Sequence, residues 1–422
     1  DHVRSLARCA RTRVACAPNA GLPNEFGGYD ETPEMLGRAL EKFAEAGWLN
    51  VVGGCCGTTP DHIAAVAQAV AGRQPRRIPS ERRRWVTGID VLEMEESGRP
   101  YIVGERTNSI GSRAFKNLIN DGKFEEAAEI ARKQGRAGAH IIDVCLANPD
   151  RDEKQDMVEF LSRAAKAVKA PFMIDSQDPA VVEAAFQLVQ GKCVLNSVNL
   201  EDGPDSERFR GLLTVARRYG AMVVAGCIDE KGMAVEPERK LEVATRLHSI
   251  LTKEWGFAEE DIMFDALVFP AGTGDENYTG SAAKTIEGTR LIMERFPRCQ
   301  STLGVSNVSF GLPPAGREVL NSVFLYHNTK AGLTSAIVNA EKLVRYAQIP
   351  DDEKKLCDDL IWNRGTDPVG AFTAHFRVKK VEAAVVAESL PPAEFVANCI
   401  LAGSKEGLTA ALDKLLDEGR KP

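Results

Sequence analysis

Several things are missing from this sequence, and each absence removes a class of protein. No run of apolar residues is long enough to cross a bilayer, so a membrane is not expected as a partner. The first residues, DHVRSLARCARTR, lack the apolar segment of a secretory leader. Ten cysteines in 422 residues are too few for a disulfide scaffold. Eight stand singly, and the other two, Cys55 and Cys56, are neighbours, which seldom bridge each other. This usage fits a reducing compartment, and the cytoplasm is the expected location. Positive charge is not in excess either. The formal net charge is −7, which argues against nucleic acid as the main partner, because phosphate contacts need clustered Lys and Arg. The one basic run, RQPRRIPSERRRW at 73–85, reads as a solvated connector.

What is present is ordinary for a globular protein: 44% hydrophobic and 27% charged residues, over a length sufficient for two or three domains. The chain does not begin with Met and reads as a piece of something longer. From about 100 to 340, short β-branched runs alternate with longer amphipathic patterns. The runs are YIVGERTN (101–108), HIIDVCLA (140–147), PFMIDSQ (171–177), CVLNSVNL (193–200), AMVVAGCID (221–229), DIMFDALVF (261–269), STLGVSNVSFG (301–311) and SAIVN (335–339). Strand, helix, strand, repeated to eight strands, implies parallel pairing, because each crossover returns the chain to the same edge. Eight units in about 250 residues match a closed (β/α)8 TIM barrel; an open doubly wound sheet is the rival. Residues 1 to 72 carry two more units of the same kind, with helices opening at Thr32–Pro33 and Thr59–Pro60. Two units cannot close a barrel. The tail from about 378 reads as a helical appendage that expects a partner.

In a barrel of this type the chemistry lies at the C-terminal ends of the strands. The polar residues there are Glu105, Arg106 and Asn108; Asp143; Asp175 and Ser176; Asn196 and Ser197; Asp229; Asp265; and Asn307. A single such residue is as easily a turn or cap as a ligand. A carboxylate or amide at nearly every strand end is not what turns alone produce. The ring carries no metal signature: none of the six histidines sits at a strand's C-terminal end, and there is no His pair at ligand spacing. A glycine-rich phosphate loop and a Ser-His-Asp arrangement are absent too. Carboxylates accept paired hydrogen bonds from an aminopyrimidinone edge, and amides complement the remaining donors and acceptors. The ring therefore suits a neutral, nitrogen-rich heterocycle, a pterin or purine.

The stretches VGERTNSIGSRAFKNLI, IIDV, MIDSQ, NSVNLEDG, IMFDALVF and GVSNVSFGL resemble, in order and spacing, the pterin-binding barrel of the cobalamin-dependent methionine synthase family and of related methyltetrahydrofolate:corrinoid methyltransferases. PNAGLPNEFGGYDETPEML and VVGGCCGTTPDHI resemble the last units of that family's homocysteine-binding barrel. ANCILAGSKEGLTAALDKLLDEG is similar to the start of the helical cap over its cobalamin. The resemblance implies four segments: 1–75, the truncated end of the homocysteine barrel; 76–98, a linker; 99–376, the pterin/folate barrel; and 377–422, the start of the cap. It implies that Cys55 and Cys56 are two of three zinc thiolates, the third coming from an earlier strand absent here. It also implies that the cobalamin module belongs to the same parent protein, beyond Pro422.

The reaction implied is methyl transfer from N5 of methyltetrahydrofolate to cob(I)alamin, on the way to methionine from homocysteine. The matching Asn, here Asn307, hydrogen-bonds N5. Asp143, Asn196 and Asp265 hold the pterin ring, and Asp175 shares that role or orients a water. Glu105 and Asn108 support the site from the first strand. Two other readings stand beside this one: a dihydropteroate synthase-like pterin enzyme, and a non-catalytic folate-binding module. The first would want basic residues at the last strands, where SAIVNAEK offers only Lys342.

Overall fold

The eight β-branched runs form eight parallel strands in a computed structural model, which describes residues 2–79, 83–273, 278–389, 391–402 and 408–417. They are β1 (Tyr101–Asn108), β2 (Ile141–Cys145), β3 (Phe172–Asp175), β4 (Val194–Leu200), β5 (Met222–Asp229), β6 (Ile262–Asp265), β7 (Gln300–Gly304) and β8 (Ser335–Val338). Each pairs with the next, and β8 returns to β1 with Ser335 opposite Tyr101, so the sheet closes as the expected TIM-type barrel. A two-residue strand, Gly232–Met233, folds back antiparallel on β5. The chain divides into two compact units, Asp1–Arg83 and Arg84–Pro422.

Side chains alternate across each strand, and in a closed sheet one face becomes the lumen. Two separate apolar clusters follow from this. Ile142, Val144, Ile174, Leu195, Val223 and Phe264 face outward onto the helices. Val103, Ile141, Met173, Val194, Met222, Val224 and Met263 face inward and pack on one another. The lower end of this inner cluster is stopped by Val86 and Met94. These belong to an antiparallel hairpin, Trp85–Thr87 with Val91–Glu93, and the turn after it. Residues 76–98 are expected to be a linker, yet the second half of that segment plugs the barrel floor. Gly191 is part of the fit: its φ is +79°, and a Cβ there would come within 2.6 Å of the Thr87 carbonyl.

Three elements differ from the sequence expectation. The seventh run does not continue as a strand to 311. β7 stops at Gly304 and Val305–Ser309 turns as a 3-10 helix, closed by Phe310 N–H donating to the Asn307 carbonyl at 3.2 Å. The sixth run likewise leaves the sheet at Asp265, and Leu267 takes a left-handed φ of 61°. At the far end, the helix Pro368–Ser389 runs through the expected boundary at 376/377. Its Phe372 and Phe376 are buried in the outer core of the barrel.

The first unit pairs two short parallel strands, Ala15–Cys16 and Val51–Val52, with the helices Pro33–Glu45 and Pro60–Val70. Its core is small: Val14, Leu36, Leu40, Leu49 and Val66. Thr32 caps the first helix by accepting from Met35 N–H at 3.3 Å, with Pro33 at the first helical position.

The plug predicts a separation of stability from binding. Met94→Ala removes a buried side chain from the floor and should cost about 2–5 kcal/mol in a urea titration, while leaving ligand affinity at the opposite end unchanged. A loss below about 1 kcal/mol would show that the hairpin only decorates the barrel.

Candidate functional site

Inward parity places the site. One step of two residues above the apolar floor, the lumen-facing hydrophobe is followed by a polar residue on five strands: Val103 by Glu105, Ile141 by Asp143, Met173 by Asp175, Val194 by Asn196, Met263 by Asp265; on β5 Val224 is followed by Gly226. Carboxyl groups thus rest directly on hydrocarbon. The structure brings Asp143, Asp175, Asn196, Asn108 and Glu105 into one cluster, and sets Asp265 on the same lumen-facing parity of β6.

Asp143 is 2% exposed. Burial, and then the charge of Asp175, holds its carboxyl well above the ordinary range. The Asn196 amide donates to it at 3.5 Å, and the Asn108 amide also bonds it. The other end of Asn108 is occupied, its Oδ1 accepting from Ile110 N–H at 2.9 Å and Gly111 N–H at 2.8 Å. Asp175 pairs across the sheet with Asn196. Burial pushes its carboxyl up to about 6, against a hydrogen bond donated by the Cys145 thiol. Burial raises Glu105 too, opposed by the Ser306 hydroxyl and by Arg106, Arg317 and the Asn339 backbone.

Asp265 is held from behind. Its Oδ1 accepts from Leu267 N–H at 2.8 Å, and burial pushes its carboxyl up to about 6. Lys240, fully buried on the helix Pro237–Ser249, donates Nζ to the Ala266 carbonyl and, at 3.3 Å, to that of Leu267. It lies 5.1 Å from the centroid of the Phe269 ring, and burial brings its pKa down to about 8. Gly288 on the next helix leaves room for it, since a Cβ there would come within 3.4 Å of Lys240 Cβ and closer still to its Cδ.

Asn307 is exposed on the 3-10 turn after β7. A Cβ at Gly304 would approach its Nδ2 to 2.9 Å, so glycine there clears space for the amide. Its neighbour Ser306 bonds Glu105, which ties this turn to the cluster. Asp229 leaves the ring: it is buried in an ion pair with Arg239 and accepts from Lys231 N–H at 3.0 Å, so its lone pairs close a turn instead. Cys145, Ser306 and Lys240 were not among the residues singled out by strand-end position. Lys240 alone carried a signal, as a cation on the apolar stripe Lys240, Val243, Ala244, Leu247.

In the first unit, Cys55 and Cys56 share an exposed loop. Cys55 N–H donates to the Pro18 carbonyl at 2.9 Å and Cys56 N–H to Asn19 Oδ1 at 3.2 Å. Their sulfurs are 3.8 Å apart. Thiolates bound tetrahedrally at about 2.3 Å are separated by about 3.8 Å, so the pair fits one edge of a zinc site. Among the described residues no group of three His, Cys, Asp or Glu completes it. The described residues therefore supply two ligands where a catalytic zinc takes three.

The family model described as "Pterin binding enzyme" matches residues 104–339, more than half of the 422. That described as "Homocysteine S-methyltransferase" matches residues 1–70. The methionine synthase of Mycobacterium tuberculosis is 38% identical over 99% of this chain, and that of Mycobacterium leprae 37% identical over 99%. The chain spans 36% of the length of each. Solved dihydropteroate synthases overlay more loosely. That of Xanthomonas albilineans reaches a TM-score of 0.45 at 14% identity, over 62% of this chain and 94% of that one, too loose to bear on the assignment.

The buried carboxyls set a pH dependence. Asp175 and Asp265 go from an ordinary value of 3.8 to about 6, so the folded, unliganded state binds more protons than the unfolded chain between about pH 4 and 6. The stability they contribute is full below about pH 4 and is lost as pH rises through about 6. Asp265→Asn keeps the bond from Leu267 N–H but cannot ionise. It should flatten that decline and be more stable than the wild type above pH 6 by on the order of 2–3 kcal/mol, at about 1.36 kcal/mol per pK unit. Identical pH–stability curves for the two proteins would mean that Asp265 is not ionised at a buried site.

Proposed function

The chain belongs to the pterin-binding enzyme family, and on that premise we propose that it transfers the methyl group on N5 of methyltetrahydrofolate to cob(I)alamin, within methionine synthesis from homocysteine. The observation that carries this is the layer of Asp143, Asp175, Asn196 and Asp265 resting on an apolar floor. Protonated or unpaired, such a layer is costly to bury. An aminopyrimidinone offers N–H donors that the carboxylates accept in pairs, and the Asn196 amide serves the remaining polar edge. The flat ring then lies over hydrocarbon with its polar rim satisfied by the walls.

The leaving group is the difficult part. A tertiary amine leaves poorly, so N5 must receive a proton or a strong hydrogen bond as the C–N bond breaks. Asn307 meets this need: its amide donates to neutral N5 and presents its carbonyl once N5 carries a proton, without titrating itself. Glu105, bonded to Ser306, holds the turn that presents it. When bound, cob(I)alamin would supply the electron pair that takes the methyl group. It is presented by a cobalamin-binding module of the parent protein. In the same reading residues 1–75 are the end of a homocysteine-binding barrel, and Cys55 and Cys56 are two ligands of its zinc. Residues 377–422 begin the cap over cobalamin.

Titration of the purified chain with methyltetrahydrofolate, followed by transfer to added cob(I)alamin, tests the assignment; no binding and no transfer would end it. Asp143→Ala and Asp265→Ala should each weaken folate binding by about 1–3 kcal/mol in calorimetry, because each leaves buried pterin donors unpaired. Asn307→Ala should slow methyl transfer by about 10²-fold while changing the folate dissociation constant far less. Equal losses in rate and affinity would make Asn307 a binding residue only.

A further inference from the structure

Glu105 and Asn108 are three residues apart on one strand, yet both reach the lumen. Regular alternation forbids this, because positions i and i+3 lie on opposite faces. The pairing with β2 resolves it. Gly104 lies opposite Ile142 and Thr107 opposite Val144, so two residues, Glu105 and Arg106, face the single Asp143. This is a β-bulge, and it resets parity. Val103 pairs with the lumen-facing Ile141 below the bulge, and Asn108 pairs with Cys145 above it, on the same parity as Asp143. Without the extra residue Asn108 would point into the outer helix layer.

A bulge leaves backbone groups without their ladder partners. Here one side chain takes up one of them and braces the next residue. Gln134, 5% exposed on the helix Phe124–Arg136, accepts from Arg106 N–H through Oε1 at 2.7 Å. Its Nε2 donates to Thr107 Oγ1 at 3.2 Å. The Thr107 hydroxyl in turn donates to the Asp143 carbonyl. Gly104 makes the approach possible: a Cβ there would stand 2.6 Å from Gln134 Oε1 and 3.2 Å from the Ala139 Cβ. Strand, helix and neighbouring strand are thus joined through one amide behind the site.

We propose that Gln134 is a positioning residue: it clamps the bulge in β1 and thereby keeps Asn108 in the lumen, against Asp143. The inference rests on the reading that this lumen holds the pterin. Gln134 touches no ligand; it acts through the backbone of Arg106 and the hydroxyl of Thr107.

Two variants test it. Gln134→Leu loses both bonds, and Gln134→Asn is one methylene too short to make them together. Each should bind methyltetrahydrofolate at least about tenfold more weakly than wild type by calorimetry. Val215→Ala, in the outer core behind β4, is the control for plain destabilisation and should bind as wild type at a comparable drop in Tm. The decisive readout is a cycle with Asn108→Ala. The double variants should bind no more weakly than Asn108→Ala alone, because the clamp works through that residue. Additive losses, or wild-type affinity in Gln134→Asn, would overturn the proposal. Should Gln134→Leu fail to fold, Gln134→Asn decides in the same terms. Should wild type itself not bind methyltetrahydrofolate, the functional reading falls, and the clamp is judged on the ligand-free crystal structure of Gln134→Asn. An Asn108 amide turned away from Asp143 supports the clamp, and an unmoved bulge and Asn108 overturn it.

Discussion

Everything at the mouth of this barrel depends on hydrocarbon filling its lower half. Val103, Ile141, Met173, Val194, Met222, Val224 and Met263 close the lumen from below, and Val86 and Met94 seal it. Water cannot solvate the carboxyls above from beneath. Their charge is therefore poorly stabilised until something else donates to it. That single constraint raises Asp143, Asp175 and Asp265 together, and it makes a flat ligand with donors on its rim the natural complement. The site is a layer of buried carboxyls, each with few donors, built on a dry floor.

Much of this was legible in the sequence, for a physical reason. Strand composition and a period of two are local properties, so the eight strands and the apolar-then-carboxylate step could be counted directly. MxD and IxD place the acid one layer above the hydrophobe whenever the strand is regular. The reading failed where regularity failed. The run 301–311 reads as one strand because its residues are small or apolar, whereas the chain turns at Gly304 and carries Asn307 outside the ladder. Asn108 was named for its position near a strand end, but its inward aim needs a bulge that no local pattern announces. The clues lay on the helices instead. Gln134 follows Phe124, Ala127, Ala128 and Ala131 on the buried stripe of its helix, and Lys240 precedes Val243, Ala244 and Leu247 on another. A polar residue in such a stripe has a buried partner to find, but the stripe does not say which strand holds it.

The first unit shows the opposite balance. Its cysteine pair is the plainest motif in the chain, and the sulfur separation suits a tetrahedral edge. The rest of a metal site is a matter of residues far apart in sequence meeting in space, and a motif of two cannot supply that. The Pro18 carbonyl and the Asn19 side chain accept from the N–H groups of Cys55 and Cys56 and hold the loop in place.

The residues around the ring differ in how they are attached. Asp143, Asp175, Asn196 and Asp265 belong to strands whose backbone is committed to ladder pairing on both sides. Asn307 lies outside the ladder, on a turn of five residues. Reorienting its amide breaks no strand pairing, while shifting any wall residue would. The wall carboxyls are thus built into the stiffest part of the molecule, whereas the Asn307 amide is carried by a turn outside the ladder.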